Sequence, residues 1–360
     1  MIACEKCLNN EYNSKIQING DKICQQCKDH QVFSPIDDAY LNSLFEKTKA
    51  KNKKYDALVP LSGGKDSTYV LYLALKKYGL NVLTYTFDNA FMSDLAKENV
   101  RRSIDIAKVD HVWYKIPDDE IYKLYRRALT VSGELCGVCG VAIERSMLEI
   151  SERYKIPLIL LGHSPAEDES FTKEQIYDPH RLKAILKSPD IKDEEIDKVL
   201  IYPKLNYISS FAYTKLGKFG KRINLLYFQE FKSDQEIAEL IKKELNWKDA
   251  DHSSYTRHLD CLAEPFTNYI RDHRLGNSRR LPQINSMIRN GEISRKDGEA
   301  IFMSDQERVL PVNYDLVKTK LNLKDSDIKG VFEIPIGIYS NKEAFANKVF
   351  AGIRKLVKSS

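Results

Sequence analysis

Nine residues constrain this chain more than any others: Pro60-Leu61-Ser62-Gly63-Gly64-Lys65-Asp66-Ser67-Thr68. Ahead of them, Tyr55-Asp56-Ala57-Leu58-Val59-Pro60-Leu61 reads as a short apolar strand, and after them Thr68 to Lys77 reads as a helix. Between the two, Gly63 and Gly64 permit a tight turn and close approach of backbone to a ligand. Free N–H groups at the helix start, the Ser62 and Ser67 hydroxyls and the Lys65 ammonium would converge on an anion. Four residues separate Ser62 from Ser67, and Asp66 follows the lysine, so this is not the Walker pattern. The bland alternative is a glycine turn that happens to carry Ser and Lys. The order strand, loop, helix speaks against it.

With 360 residues, 42% of them hydrophobic and 30% charged, the chain has the composition of an ordinary soluble globular protein of two or three domains. The longest apolar runs, such as Ile156 to Leu161, are strand-sized and too short to span a bilayer. No apolar signal region follows Met1, so a cytoplasmic location is expected, with no membrane partner. A net charge of +5, from 56 basic and 51 acidic residues, permits phosphorylated ligands without singling out nucleic acid. The basic cluster Lys215 to Arg222 reads as a solvated loop.

Six of the seven cysteines fall in three CxxC pairs, a usage that points to metal or catalysis rather than disulfides. Cys4 and Cys7 are followed, after sixteen residues, by Cys24 and Cys27, the spacing of a zinc ribbon. The segment between them reads as a hairpin turning at Asn19-Gly20. Four Cys ligands leave no open position, so this Zn²⁺ would be structural. Cys136 and Cys139 have no second pair. They sit on a glycine-rich turn before an amphipathic helix, where a helix N-terminus would lower their pKa. Cys261 is the candidate third ligand of a second Zn²⁺ or of an iron–sulfur cluster with one free iron. In the alternative reading the pair is a structural turn and Cys261 a buried small hydrophobe.

Residues 1–33 form the ribbon, 34–54 a linker helix, 55–170 an α/β nucleotide-binding domain and 171–360 a mixed, mostly helical substrate and assembly region. Strands at Asn81–Asp88, Asp110–Ile116 and Leu158–His163 alternate with helices at Ser93–Arg102, Asp119–Thr130 and after Cys139, implying a parallel sheet covered on both faces. Ligands of such sheets bind at C-terminal strand ends, where Ser62–Ser67, Asp88 and Gly162-His163 all fall. Later stretches, Asp190–Val199, Asp234–Lys243 and the run ending at Met287–Lys296, read as helices.

Ser62-Gly63-Gly64-Lys65-Asp66-Ser67 resembles the SGGxDS signature of the PP-loop ATP pyrophosphatases. That resemblance implies an adenine nucleotide alpha hydrolase-like (HUP/PP-loop) fold and cleavage of ATP to AMP and pyrophosphate during adenylation of a substrate oxygen. Two PP-loop families with an N-terminal zinc-binding segment are similar to this chain. The N-acetyl sugar amidotransferases resemble it in the ribbon, the loop and Thr84 to Phe91. They also resemble it in Arg274, Gly276, Ile288-Arg289-x-Gly291 and Arg295. This likeness implies a sugar acceptor in surface glycan biosynthesis and, since no glutaminase is evident here, a partner glutaminase supplying ammonia. The zinc-ribbon tRNA thiolases resemble it in the ribbon, the loop, Gly162-His163-Ser164 with Asp168, and Cys136-x-x-Cys139-Gly140 with a distant third Cys. They imply tRNA or a small molecule as acceptor and a metal or cluster on Cys136, Cys139 and Cys261. In that likeness Ser164 replaces the usual Asn.

Under either likeness Ser62, Gly63, Gly64, Ser67 and Lys65 hold ATP phosphates, and Asp66 holds Mg²⁺, with Asp168 or Glu169 as weaker aids. Asp88 contacts adenosine, Gly162 admits the nucleotide, and His163 orients phosphate or substrate or is a plain strand-end histidine. The leading expectation is nitrogen transfer; the runner-up is sulfur transfer. A non-enzymatic nucleotide-sensing module is the third reading.

Overall fold

The computed structural model describes residues 3–10, 18, 20–30, 34–163, 176–200, 216, 218–230, 232–249, 260–276 and 280–338. Five strands, β1 (Ala57–Pro60), β2 (Val82–Asp88), β3 (Asp110–Lys115), β4 (Leu158–Leu161) and β5 (Lys221–Asn224), form one sheet in the order β3-β2-β1-β4-β5. Every pairing is parallel, with Val59 opposite Thr84, Leu58 opposite Ile159 and Asp88 opposite Lys115. The α/β parallel-sheet class expected from the alternating pattern is what the chain adopts, with a four-cysteine cluster at the N-terminus and a mostly helical remainder.

Burial on both faces explains why the central strands are almost wholly apolar. Successive side chains of a strand leave it on opposite faces. Leu58, Tyr85 and Ile159 therefore enter one core with the Asp118–Ser132, Cys136–Arg153 and Glu264–Leu275 helices. Ala57, Val59, Leu158 and Leu160 enter the other with the Asp38–Lys49, Lys65–Tyr72, Asp94–Ala107 and Asp234–Leu245 helices.

Several boundaries differ from the sequence reading. The helix after the loop begins at Lys65 rather than Thr68 and ends in a π-helical turn, Leu73–Lys77. Cys136 and Cys139 lie inside the first turn of their helix, not on a turn before it. The stretch Met287–Lys296 is not one helix: a helix ends at Arg289, Gly291 takes φ +73°, and Ser294 caps the next at Arg295. Strand β5 and the Asp234–Leu245 helix come from the half read as substrate region and complete the sheet layers.

The strand order reverses at β1, whose neighbours β2 and β4 lie on either side, and it is there that a doubly wound sheet opens a crevice. Among the described residues no helix is long and apolar enough to cross a membrane.

Candidate active site

The loop after β1 folds over its own hydroxyls. Gly63 takes φ +82°, in the left-handed region, and Gly64 caps the helix in an extended conformation. The Ser62 N–H donates to Ser67 Oγ (3.2 Å), the Gly64 N–H donates to Ser62 Oγ (3.2 Å), and Ser67 Oγ and Thr68 Oγ1 donate to the Gly64 carbonyl (3.1 and 2.9 Å). Thr68 thereby closes the first turn, which is why the helix starts three residues before it. The N–H groups of Lys65, Asp66 and Ser67 have no carbonyl within the helix to meet, so the loop carries the donor set of an anion site.

Lys65 does not point into open space. Its Nζ lies 2.5 Å from Asp66 Oδ1 and 2.9 Å from Asp234 Oδ1. Burial works against its charge, but the two carboxylates outweigh burial and hold its pKa above the ordinary lysine value.

A clamp behind the loop was not legible in the sequence. The Gly63 carbonyl accepts from Trp247 Nε1 (2.9 Å) and from Asn99 Nδ2 (3.2 Å). Asn99 also pairs with both backbone groups of Lys248, at 2.9 Å each. A Cβ on Gly63 would lie 2.3 Å from the Ala96 carbonyl oxygen, so glycine is required for packing as well as for φ. At Gly162 a Cβ would meet the Asp66 backbone at 3.2 Å, so the end of β4 packs on the first turn of the loop helix. His163 is exposed at that strand end. Ser164, Asp168, Glu169 and His258 lie outside the described residues.

At the end of β2, Asp88 is mostly buried; its carboxylate accepts from the Ala90 N–H (3.0 Å) and lies 3.7 Å from Lys97 Nζ. The next residue, Asn89, donates through Nδ2 to the sulfurs of Cys139 (3.8 Å) and Cys261 (3.6 Å). Cys261 reaches this position because the 260–262 segment pairs with 91–93: the Leu262 N–H donates to the Phe91 carbonyl (2.7 Å) and the Ser93 N–H to the Asp260 carbonyl (3.0 Å). Asp260 Oδ2 lies 3.8 Å from where a Gly64 Cβ would stand, so this segment borders the glycine loop as well. Cys136 opens the CxxC helix, its N–H donating to Glu134 Oε1 (2.9 Å), and Glu134 is held by a buried ion pair to Arg271. The structure thus brings Cys139 and Cys261 together, 122 residues apart in sequence, beside the candidate nucleotide site.

The expectation that a helix N-terminus lowers the thiol pKa is not met at Cys139. Burial pushes Cys139 up to about 11, and burial followed by Cys139 pushes Cys261 up to about 12. A helix end contributes only a fraction of a charge, and taking a thiolate out of water costs more. Without a compensating cation these sulfurs stay protonated at neutral pH.

The ribbon cysteines are all buried, and their four sulfurs lie within 4.8 Å of one another. Cys4 and Cys27 Sγ are 3.8 Å apart, and Cys7 and Cys24 Sγ 3.7 Å. Tetrahedral Zn–S bonds of about 2.3 Å give an S···S edge of about 3.8 Å, so the residues fit a zinc ion. N–H donors support the sulfurs: Asn9 N to Cys7 (3.4 Å), Asn9 Nδ2 to Cys24 (3.4 Å) and Cys24 N to Cys4 (3.3 Å). Among the described residues this is the one Cys, His or carboxylate group of three or more gathered within that span. The ribbon docks through Leu8, whose N–H donates to Asn285 Oδ1 (2.7 Å), and Asn285 Nδ2 donates to Asn9 Oδ1 (2.7 Å).

No family model matches this chain. An uncharacterized protein of Methanocaldococcus jannaschii is 25% identical to it over 203 residues, 55% of this chain and 72% of that one. Among solved structures, the U34-tRNA thiolase NcsA from Methanococcus maripaludis with its 4Fe–4S cluster aligns at a TM-score of 0.35 and 17% identity, covering 87% of this chain and 91% of that one. The NMN synthetase from Francisella tularensis aligns at 0.29 and 14%, covering 60% and 95%. Likenesses at these scores carry no argument about activity.

Proposed function

We propose that this chain is an ATP-dependent enzyme of the PP-loop type that adenylates a carbonyl or amide oxygen and exchanges it for sulfur handled at Cys136, Cys139 and Cys261. The observation that carries the reading is the position of the 260–262 segment: Asp260 borders Gly64 of the phosphate loop while Cys261 shares the Asn89 amide with Cys139. Oxygen activation and thiol chemistry then share one wall of one crevice.

A carbonyl oxygen leaves poorly. Its attack on the α-phosphorus of ATP breaks the α–β anhydride and releases pyrophosphate. Attack of hydrosulfide on the activated carbon then expels AMP with the C–O electron pair, and loss of the S–H proton leaves a C=S group. The loop N–H groups with Ser62 and Ser67 hold phosphate oxygens, and Lys65 balances charge growing on pyrophosphate. Asp66 would hold Mg²⁺, which neutralises charge on phosphate oxygens when bound. Asp88 faces adenosine. A second Zn²⁺ or an iron–sulfur cluster on Cys136, Cys139 and Cys261 would hold the sulfur nucleophile when bound. Zinc in the ribbon contributes folding energy.

The residues behind the sugar amidotransferase likeness have other duties. Gly276 and Gly291 take φ +64° and +73° at helix ends, where glycine is favoured. Arg274 donates to the Gly133 and Ile334 carbonyls, and Arg295 opens a helix and pairs with Glu299. These contacts give Arg274, Gly276, Gly291 and Arg295 structural roles whichever acceptor the enzyme takes.

The test is an anaerobic assay with MgATP, either unfractionated tRNA or acetamido sugars, and either labelled sulfide or ammonium. We expect AMP and pyrophosphate in equal amounts, label in the acceptor, and loss of both in Cys261→Ala. Ammonium-driven turnover untouched by Cys261→Ala would move the chain to nitrogen transfer with a partner glutaminase. Release of ADP and phosphate would end both readings.

A further inference from the structure

Gly63 and Gly64 share a peptide with no Cβ on either side, the freest kind to rotate about its flanking bonds. Its carbonyl and N–H point in opposite directions because the unit is planar and trans. One orientation aims the Gly64 N–H toward Ser62 and the anion side of the loop; the flipped orientation would aim a carbonyl oxygen there and repel phosphate. The observed orientation has the carbonyl turned away and held by two donors, Trp247 Nε1 at 2.9 Å and Asn99 Nδ2 at 3.2 Å. Both donors are buried, Trp247 at 5% exposure and Asn99 at 2%. Asn99 is itself fixed by the Lys248 backbone, and Asn246, at φ +51°, ends the Asp234–Leu245 helix so that Trp247 turns inward. The same helix reaches Lys65 through Asp234 at its other end.

We infer that Trp247 and Asn99 are positioning residues for the nucleotide phosphates: they hold the Gly63–Gly64 peptide in the orientation that offers N–H, not C=O, to an anion. The 234–248 segment is then a brace for phosphate recognition supplied from the far end of the sheet layer. The inference rests on the phosphate-loop reading but not on the choice between sulfur and nitrogen.

The chain has two tryptophans, and Trp113 is 41% exposed on β3, away from the loop. In a Trp113→Phe background, biosynthetic replacement of tryptophan by benzothienylalanine changes Trp247 alone, exchanging its N–H for sulfur at nearly constant shape. Trp247→Phe serves as a second variant. Calorimetric titration with ATP and with adenosine, beside thermal melts, reads the result. We expect the ATP Kd to rise about tenfold, as befits a buried carbonyl losing one of two donors, with adenosine affinity and Tm nearly unchanged in the benzothienyl protein. Equal weakening of ATP and adenosine, or unchanged ATP affinity with a lower Tm, would overturn the inference by making the clamp merely structural. Absence of ATP binding in the Trp113→Phe parent would refute the phosphate-loop reading itself, and the clamp with it.

Discussion

Replacing Gly63 by alanine would put a methyl carbon 2.3 Å from the Ala96 carbonyl oxygen, and 2.7 and 2.8 Å from the carbonyl carbon and Cα of that residue. These are backbone atoms inside a helix, so none can rotate aside. Ordinary contact at 3.4 Å requires loop and helix to separate by 3.4 − 2.3 = 1.1 Å. A left-handed φ costs alanine about 1–2 kcal/mol, and overpacking of this kind costs about 1–3 kcal/mol more. Gly64→Ala is different: its φ is −77°, and the nearest atoms are the rotatable Ser62 Oγ at 3.2 Å and Asp260 Oδ2 at 3.8 Å. That change should cost about 1 kcal/mol or less, mainly for a poorer cap. Its methyl nevertheless stands beside Ser62 and Asp260, at the loop we propose to hold phosphate. An unfolding entropy of about 2.1 cal/mol/K per residue turns 3 kcal/mol into a Tm drop of about 4 °C for a chain of 360 residues. Melts followed by circular dichroism, with calorimetric ATP titration, should therefore separate the neighbours. Gly63→Ala lowers Tm, whereas Gly64→Ala keeps Tm and loses ATP affinity. Equal melts for the two variants would refute the reasoning.

Three further outcomes are expected. A strong chelator should remove one zinc equivalent from the ribbon and speed tryptic cleavage at Lys6, Lys22 and Lys28 while cleavage at the buried Arg181 and Arg271 stays slow; unchanged cleavage after metal loss would show that zinc does not hold the ribbon. Arg271→Leu should destabilise by about 3–5 kcal/mol in urea unfolding, because it strands the Glu134 carboxylate, 2% exposed, without its cation, and adding Glu134→Gln should recover most of that loss. Burial holds the His111 imidazole down at about 4, with Nε2 buried and unpartnered. Its folded pKa lies below the unfolded value of 6.5, so its stabilising contribution is complete above that pH and is lost as pH falls toward 4. The Tm loss between pH 7 and 4.5 should be smaller in His111→Gln than in the parent, and an equal loss would contradict the assignment.

The parts of the fold legible in sequence are those written in short runs. Apolar strands β1, β2 and β4 and the ribbon spacing need only local chemistry to be recognised. Strand β5 is illegible in sequence because Lys221-Arg222-Ile223-Asn224 is three-quarters polar; only Ile223 is buried, and pairing with β4 alone makes the segment a strand. The turn expected at Cys136–Gly140 is in fact the first turn of the helix that follows, because glycine in a short run has the look of a turn residue. Gly137 and Gly140 are instead helical positions where the Ile176 carbonyl and the Tyr177 ring approach to 2.4 and 2.5 Å of an absent Cβ. Thiol acidity is illegible for a related reason: helix position is visible in sequence, whereas the burial that raises Cys139 to about 11 is not.

By itself the sequence determined a glycine loop between strand and helix, a four-cysteine cluster and a parallel α/β sheet, because each depends on residues that are chain neighbours or repeat with a short period. Only the tertiary structure decided that Trp247 holds Gly63 across 184 residues and that Cys261 meets Cys139 over Asn89. It also decided that Lys65 rests between Asp66 and Asp234. A hydrogen bond or ion pair depends on distance in space, and segments far apart in the chain acquire that distance only when the sheet stacks its strands and the helices close over both faces.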